Sequence, residues 1–457
     1  MRELGISLLS AREALRSRFA IVIGLLVVGG GAALCFGVSG DGSAAGRLRT
    51  FLSWGAGLGW LLLSLAAVFL STSFGRALMD GRLTALCLAP LDRVRVLLAW
   101  WGGVAAVLLG LSALTVATLG LLAGASWLTA GEVSRPALRQ VLQARGVCRA
   151  PPQDLDRLRA RIEEQIAARA AAGTLPEELT LERAVEVELE RELLRRRTVG
   201  PGRTQEWRLS GVQPAPGAET VTLRFYFFVQ DQGRVLPPGR GPRTRWELLP
   251  EGTGTFYDLD GSWPGVTGML LKKHELTIPV ALLEGRDSLT IRFRNLEEEA
   301  VSVLFPELGP ELLYPAGSFL PNLVRAGVIL WARLLFLCAL GVCASALLDP
   351  KLAALVVLFF LLVGTAHEFL VDALRPAYDA WGPTVGPPMR LFLKGVLAAI
   401  PDLSREDLAT RLAEGELLPG PSVALAVLGD GVGRGGAVLI GGALLFARRE
   451  LGAARGV

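Results

Sequence analysis

Six long apolar runs, three before and three after a polar block of nearly two hundred residues at about 131–318, constrain this chain more than any short motif. They fall at about 19–38, 51–71, 97–127, 320–348, 352–373 and 423–447. A helix of about 20 residues, rising about 1.5 Å per residue, crosses the ~30 Å hydrocarbon core of a bilayer. Backbone polar groups in lipid must be satisfied within the segment, so each run is predicted to be a membrane-spanning helix. Hydrophobic content of 51% over 457 residues fits that class. The expected fold is an α-helical integral membrane protein with six transmembrane helices and an extracytoplasmic α+β insertion.

Six crossings put both termini on one side. Arg2, Arg12, Arg16 and Arg18 precede the first run, Arg76, Arg82, Arg93 and Arg95 follow the second, and Arg448 and Arg449 follow the last. Cytoplasmic flanks retain Arg and Lys, so this side is assigned to the cytoplasm and the polar block to the outside. The 374–420 connection, also outside in this scheme, carries Arg375, Arg390, Lys394, Arg405 and Arg411 and runs against the rule. Residues 1–18 intersperse Leu4, Leu8, Leu9 and Leu15 with arginines, a pattern suited to lying at the cytoplasmic lipid interface. No small-residue cleavage motif ends the first run, so it is read as a retained span and not a signal peptide. The segment 389–400 is too short to cross and is a candidate for dipping into the outer leaflet.

Four segments follow from this: an N-terminal membrane half at 1–127, a helical hairpin at 128–200, a β-sandwich at 201–318 and a C-terminal membrane half at 319–457. The hairpin is predicted at about 153–171 and 175–197, with a capping-box signature at Thr174 to Glu177 and Arg195 to Arg197 in the last turn. From about 204 the period changes to two. Val221, Leu223, Phe225 and Phe227 alternate with polar neighbours, as do Leu289, Ile291 and Phe293, then Val301, Val303 and Phe305. Turn signals at 237–241, 260–261 and 284–287 divide seven or eight short strands, which predicts a sandwich of jelly-roll-like topology. Of the cysteines at 35, 87, 148, 338 and 343, only Cys148 lies in this block, so its core holds without an internal disulfide.

The chemistry of the chain is bounded mostly by what it lacks. A net charge of +4, scattered, gives no basic face for nucleic acid. No G-x-x-x-x-G-K-[ST] occurs, so the chain is not expected to hydrolyse ATP, and it is read as no enzyme. His367 and Glu368 lack the second His of a zinc-protease helix, since Val371 holds that position. Asp379 and Asp430 fall short of an intramembrane aspartate pair, and Asp258 to Gly261 reads as a turn and not a calcium loop. No metal or cofactor is expected in the chain itself. Trp207, Trp246 and Trp263 are read as core aromatics before sugar platforms. Arg333, His367, Glu368, Asp430 and Arg434 lie in or beside spans and are candidates for a membrane-embedded polar path. Against that, Asp430 and Arg434 at i, i+4 can satisfy each other.

The most specific local segment is 73–93, amphipathic to Pro90 and then basic. It resembles the acidic-Gly then Leu-Leu-x-x-Pro-x-x-Arg loop of type-2 ATP-binding-cassette (ABC) transporter permeases. Phe446, Ala447, Arg448, Arg449 and Glu450 resemble that family's F-x-R-R-E ending. Ile400 to Leu403, followed by Glu414 and Gly415, are similar to the segment before its last span. Phe319, Asn322 and Arg325 resemble the start of the fourth span in permeases with such an insertion. The chain departs from the pattern at Asp80, where a Glu a few residues earlier is usual, and at Ala99 and Trp100, which replace a Gly-Lys pair.

The resemblance covers about 1–127 and 320–452. It implies a six-span permease of a bacterial cytoplasmic membrane that dimerises with a second copy or a paralogue. It also implies coupling to a separate ABC ATPase subunit, where ATP and magnesium bind, through the 73–96 loop. The coupling residues it implies are Phe74, Arg76, Leu78, Asp80, Gly81, Arg82, Leu86, Pro90 and Arg93. An amphipathic helix presenting Phe74, Leu78 and Leu86 suits a groove on a partner. The alternative is a non-transporting receptor or scaffold that displays the sandwich for a glycan or a protein.

Overall fold

A computed structural model describes residues 2–83, 92–151, 154–174, 181–231, 234–235, 242–250, 257–259, 274–283, 288–297, 301–306, 309–367, 369–371, 373–374, 382–403 and 408–448. The chain forms two compact units, one of Met1–Ala144 with Ser318–Val457 and one of Arg145–Gly317.

The first half of the larger unit comprises α1 (Arg2–Arg16), α2 (Arg18–Gly37), α3 (Ala44–Ser71), α4 (Ser73–Met79), α5 (Arg93–Thr129) and α6 (Arg135–Val141). Polar residues at the starts set the frame. Ser17 accepts from Ala20 N, Ser43 from Gly46 N and Asp92 from Val94 N, each satisfying one orphan donor of the helix that follows. Helix α1 buries Ile6, Ser10 and Ala14 and turns Leu8, Leu9 and Leu15 outward. Ser10 Oγ donates to Trp100 O at 3.3 Å, and a Cβ on Gly103 would collide with that serine, so glycine is what lets α1 lie directly on α5.

In the smaller unit, α7 (Leu155–Ala171) and α8 (Leu181–Arg197) form the predicted hairpin. Leu158, Ile162 and Ile166 pack against Ala184 and Val185, a separate small core. Thr174 donates its hydroxyl back to Arg169 O at 3.0 Å, and the rest of the capping signature lies outside the described residues. In the cationic last turn, Arg196 pairs with Glu192 at 2.9 Å and Arg195 with the same carboxylate at 3.9 Å.

Twelve strands are described, ten of them in the region from about 204 where the alternation predicted seven or eight. They are β1 (Gln143–Arg149), β2 (Thr198–Val199), β3 (Thr204–Ser210), β4 (Thr220–Phe225), β5 (Phe228–Asp231), β6 (Arg234–Val235), β7 (Thr244–Pro250), β8 (Tyr257–Leu259), β9 (His274–Pro279), β10 (Ser288–Asn295), β11 (Val301–Leu304) and β12 (Glu311–Ser318). They pair as three four-stranded sheets, β1-β12-β4-β9, β3-β10-β7-β8 and β2-β11-β5-β6. The surplus there comes from strands of two to four residues, too short to show a period, while β1 and β2 lie within 128–200, the stretch read as a helical hairpin. Pairing is nested: β4 runs antiparallel to β9, β3 to β10 and β2 to β11, with β1 beside β12. All three sheets feed one core, in which Leu223, Phe225, Trp246, Ile291, Phe293, Val303 and Phe305 are buried. Trp246 is 1% exposed and lies 4.2 Å from Phe225 by ring centroid, so it is core and not a sugar platform. Trp207 stacks on Trp246 and meets Phe305 edge-on, while Trp263 is outside the described residues.

The second half of the larger unit runs through α9 (Phe319–Leu347), α10 (Pro350–Thr365), α11 (Gly382–Ala399), α12 (Leu408–Ala413), α13 (Gly420–Leu425), a π-helical segment at Ala426–Arg434 and α14 (Gly435–Arg448). Trp331 of α9 donates to Ala105 O at 3.1 Å, and a Cβ on Gly442 would collide with Cys343, so α9 is packed closely between α5 and α14. Among the described residues five stretches are long and apolar enough to cross a membrane: Arg18–Gly37, Ala44–Met79, Arg93–Thr129, Phe319–Leu347 and Gly420–Arg448. The sixth predicted span differs. Helix α10 is apolar but has 16 residues, about 24 Å, short of the hydrocarbon thickness.

Candidate functional site: one end of the helix bundle

The segment that most resembles a known family is assembled by α3, α4, α5 and α14 together. After α3, Thr72 donates its hydroxyl to Val68 O at 3.0 Å and the chain restarts as α4. A Cβ on Gly75 would sit 2.6 Å from Ser345 O, so α4 runs hard against the end of α9. This directs Phe74 inward. It is 0% exposed, with its ring edge-on to Trp100 at 5.8 Å and to Phe446 at 5.7 Å. Arg93 Nη1 donates to Ala447 O at 3.4 Å, a link between positions 354 apart in sequence. Phe74, Arg93, Trp100, Phe446 and Ala447 therefore meet at one end of the bundle.

Phe74 corrects an expectation: it is not on a presented face but is the centre of an aromatic cluster. Leu78 is half-buried against the same core. The outward face of α4 and its exit carries Arg76, Met79, Asp80, Gly81 and Arg82. Arg76 Nη2 donates to Phe69 O at 3.3 Å, and Arg82 pairs with Glu13 of α1 at 3.3 Å. Gly81 sits at φ +76°, a left-handed conformation that favours glycine, and its N–H donates to Leu78 O to close the helix. Leu86, Pro90, Arg449 and Glu450 lie outside the described residues.

The start of α9 also meets the stretch just after Glu414 and Gly415. Asn322 in α9 is 1% exposed; its Nδ2 donates to Glu416 O at 2.8 Å and its Oδ1 accepts from Leu418 N at 2.8 Å. Arg325 donates to Leu418 O at 3.2 Å, and Glu416 pairs with Arg411 at 3.4 Å. A buried amide that satisfies both of its faces this way fixes the 414–418 strap to α9. No spacing rule pointed to this pairing.

Four of the five candidates for an embedded polar path are among the described residues. Asp430 and Arg434 are ion-paired to each other, and Arg434 Nε donates to Ala398 O at 3.3 Å. His367 is half-buried, and Glu368 lies outside the described residues. Arg333 is 6% exposed and lines a cavity of about 260 Å3 between α3, α5 and α9. In the smaller unit, burial raises the pKa of Cys148, Tyr226 and Tyr314; the Glu311 carboxylate adds to the rise at Tyr226 and the neighbouring Cys148 at Tyr314. Each therefore stays neutral near pH 7, the opposite of an activated nucleophile. No three His, Cys, Asp or Glu side chains cluster as metal ligands among the described residues. No protein-family model matches the chain, and neither a curated protein nor a solved structure gives a significant match.

Proposed function

We propose that the chain is the transmembrane permease subunit of an ABC transporter. In this reading it spans a bacterial cytoplasmic membrane six times, with both termini inside and the Arg145–Gly317 unit outside. It acts as a dimer with a second copy or a related permease, and it exports a substrate or passes force across the membrane. ATP and magnesium bind in the partner ATPase subunit. The observation that carries the proposal is the meeting of Phe74, Trp100, Phe446 and the Arg93 to Ala447 hydrogen bond. Segments resembling one family's coupling loop and ending are joined physically, with Arg76, Asp80 and Arg82 left on the outer surface beside them.

The mechanical argument is short. A push on an exposed helix is useful only if its neighbours move with it and do not absorb it as side-chain rearrangement. Phe74 is clamped between the start of α5 and the end of α14, so displacement of α4 is handed to both spans through a close-packed contact. The partner must also contact α4 differently in two of its own states. For the sixth span, helical residues continue past α10 at 367, 369–371 and 373–374, and Leu403 N donates to Gly364 O at 3.0 Å, which ties the returning chain to that helix. The nested strand pairing supports a jelly-roll-like reading of the outer unit.

The test is co-expression with a Walker-A ATPase encoded beside the gene, purification through this chain and measurement of ATP hydrolysis in lipid nanodiscs. The expected result is a stable complex that Arg76→Glu with Arg82→Glu dissolves while the membrane protein is recovered in equal amount. A chain that purifies without any ATPase, or a complex indifferent to charge reversal, overturns the proposal.

A further inference from the structure

Among the described strands, β3 stands at the end of its sheet, with β10 on one side and no strand on the other. Asn295 N donates to Arg203 O at 3.1 Å, and the register runs on from there through Phe293 with Gln205, Ile291 with Trp207 and Leu289 with Leu209. Antiparallel pairs alternate between exchanging backbone bonds and turning them away. Thr204, Glu206, Arg208 and Ser210 therefore aim their N–H and C=O groups away from β10. Ser210 shows this directly, since its carbonyl accepts from Cys148 Sγ of β1, in another sheet, at 2.9 Å. The side chains of these four residues are exposed, whereas Trp207 and Leu209 pack into the core.

An outward-facing edge is a template for one more strand, and charge decides which strand suits it. On the exposed face the sign alternates from strand to strand. Glu206 of β3 pairs with Arg292 of β10 at 2.6 Å, and Arg292 with Glu247 of β7 at 3.4 Å. A strand added beside Glu206 continues the alternation if it brings a cation to that position. The sequence of β3 itself does so. Two copies of β3, antiparallel about a two-fold axis at Trp207, set Glu206 of each opposite Arg208 of the other and join outward-facing backbone groups to outward-facing ones. The adjacent registers fail: an axis at Glu206 sets two carboxylates face to face, and an axis at Arg208 two guanidiniums, and like charges directly opposite destabilise a pair. Arg208 has an interaction of its own, as Glu206 has, and the pairing calls on the sign of its charge and not on a vacant guanidinium.

We infer that β3 is a docking edge for β3 of a second copy of this chain, the two sheets joining into one with charges alternating across the seam. Ser210 O is already taken by Cys148, which limits the ladder to Glu206 and Arg208 of each copy, about four backbone hydrogen bonds. So short a ladder suits partners held in one membrane, where tethering raises their effective concentration. The inference needs two copies in the same bilayer but does not depend on coupling to an ATPase.

The experiment co-expresses two differently tagged full-length copies without any ATPase, their native cysteines replaced, and oxidises them in the membrane with copper phenanthroline. One copy carries Glu206→Cys and the other Arg208→Cys. Opposite residues of a bonded pair have Cα atoms about 5.5 Å apart, within reach of a disulfide, while diagonal neighbours at about 7–8 Å are at or beyond its limit. The mixed disulfide is therefore expected in at least about tenfold excess over either copy linked to itself. Adding Arg208→Glu to the first copy sets two carboxylates opposite each other and is expected to lower the yield about tenfold. Adding Glu206→Lys to the second copy as well is expected to restore it, which a general loss of folding would not do. Absence of the mixed disulfide, equal yields of mixed and self-linked products, failure of the second charge change to restore the link, or capture of a different protein in place of the second copy overturns the inference. The choice of register by mixed over self-linked product keeps it testable if a charge variant does not fold. Its failure leaves the permease reading standing, and failure of ATPase co-purification leaves the β3 edge standing.

Discussion

Phe74 touches no solvent, and its two ring contacts reach α5 and α14. Phe74→Ala is expected to destabilise the membrane unit by about 3–5 kcal/mol, the range for a truncated buried aromatic, seen as a lower unfolding temperature in detergent. Phe446→Ala removes the other half of one contact, so the double variant is expected to lose less than the sum of the two singles. Additive losses would mean that the two rings do not support each other. Arg76→Glu, on the outward face, is expected to shift stability by no more than about 0.5 kcal/mol. The sequence made this division only half legible. Phe74 and Leu78 are four apart, and helical spacing tells that they share a face. It does not tell whether that face meets the chain's own bundle or a partner. Trp100 meets Phe74 edge-on, a contact between two helices that helical spacing along either one does not reveal.

At the scale of elements, the last membrane helix shows how composition conceals geometry. The apolar run at 423–447 gave a span with nearly correct limits, because hydropathy fixes length and solvent. It gave no sign of the π-helical turn at Ala426–Arg434, since a change from i→i+4 to i→i+5 bonding alters the direction of side chains and not their polarity. That turn brings Gly431 against α9. A Cβ there would lie 3.2 Å from a Leu335 methyl and 3.3 Å from Ala332 O, and a backbone carbonyl within a packed helix cannot retreat. Gly431→Leu is therefore expected to cost about 1–3 kcal/mol, as overpacking does. Gly436→Leu, where a Cβ meets nothing within 4 Å, is expected to be nearly silent. Thermal unfolding of the two variants side by side checks this; equal effects would remove close packing as the reason for glycine at 431. The Asn322 link to the 414–418 strap was illegible for a related reason. Its partners are two backbone groups, and any sequence supplies those.

For the whole molecule, the number of crossings decides which compartment each end occupies. The apolar run at 352–373 counts as a span by composition, yet α10 ends at Thr365 and a turn follows at Ala366. The strand count missed in the same way: composition defines which stretches avoid water, while the points at which helices stop and strands break are set by tertiary contacts that it does not contain. Cys148 is no reporter of topology, since it is buried, donates to Ser210 O at 2.9 Å and has its pKa raised by burial, all of which protect it from maleimide on either side. Exposed sites serve better, and Arg12, Arg208 and Arg448 supply one near the start, one on β3 and one at the end of α14. With the native cysteines replaced, six crossings predict that an impermeant maleimide labels Arg208→Cys in intact cells, and labels Arg12→Cys and Arg448→Cys only after permeabilisation. Labelling of Arg448→Cys but not Arg12→Cys in intact cells would put the two ends on opposite sides, against the Phe74 to Phe446 contact, the Arg93 to Ala447 hydrogen bond and the Arg82 to Glu13 ion pair that hold them at one end of the bundle. In that case the Phe74 and Phe446 cluster could not face the compartment that holds ATP together with both chain ends, and the surface around Arg76 would lose its assignment as the coupling face.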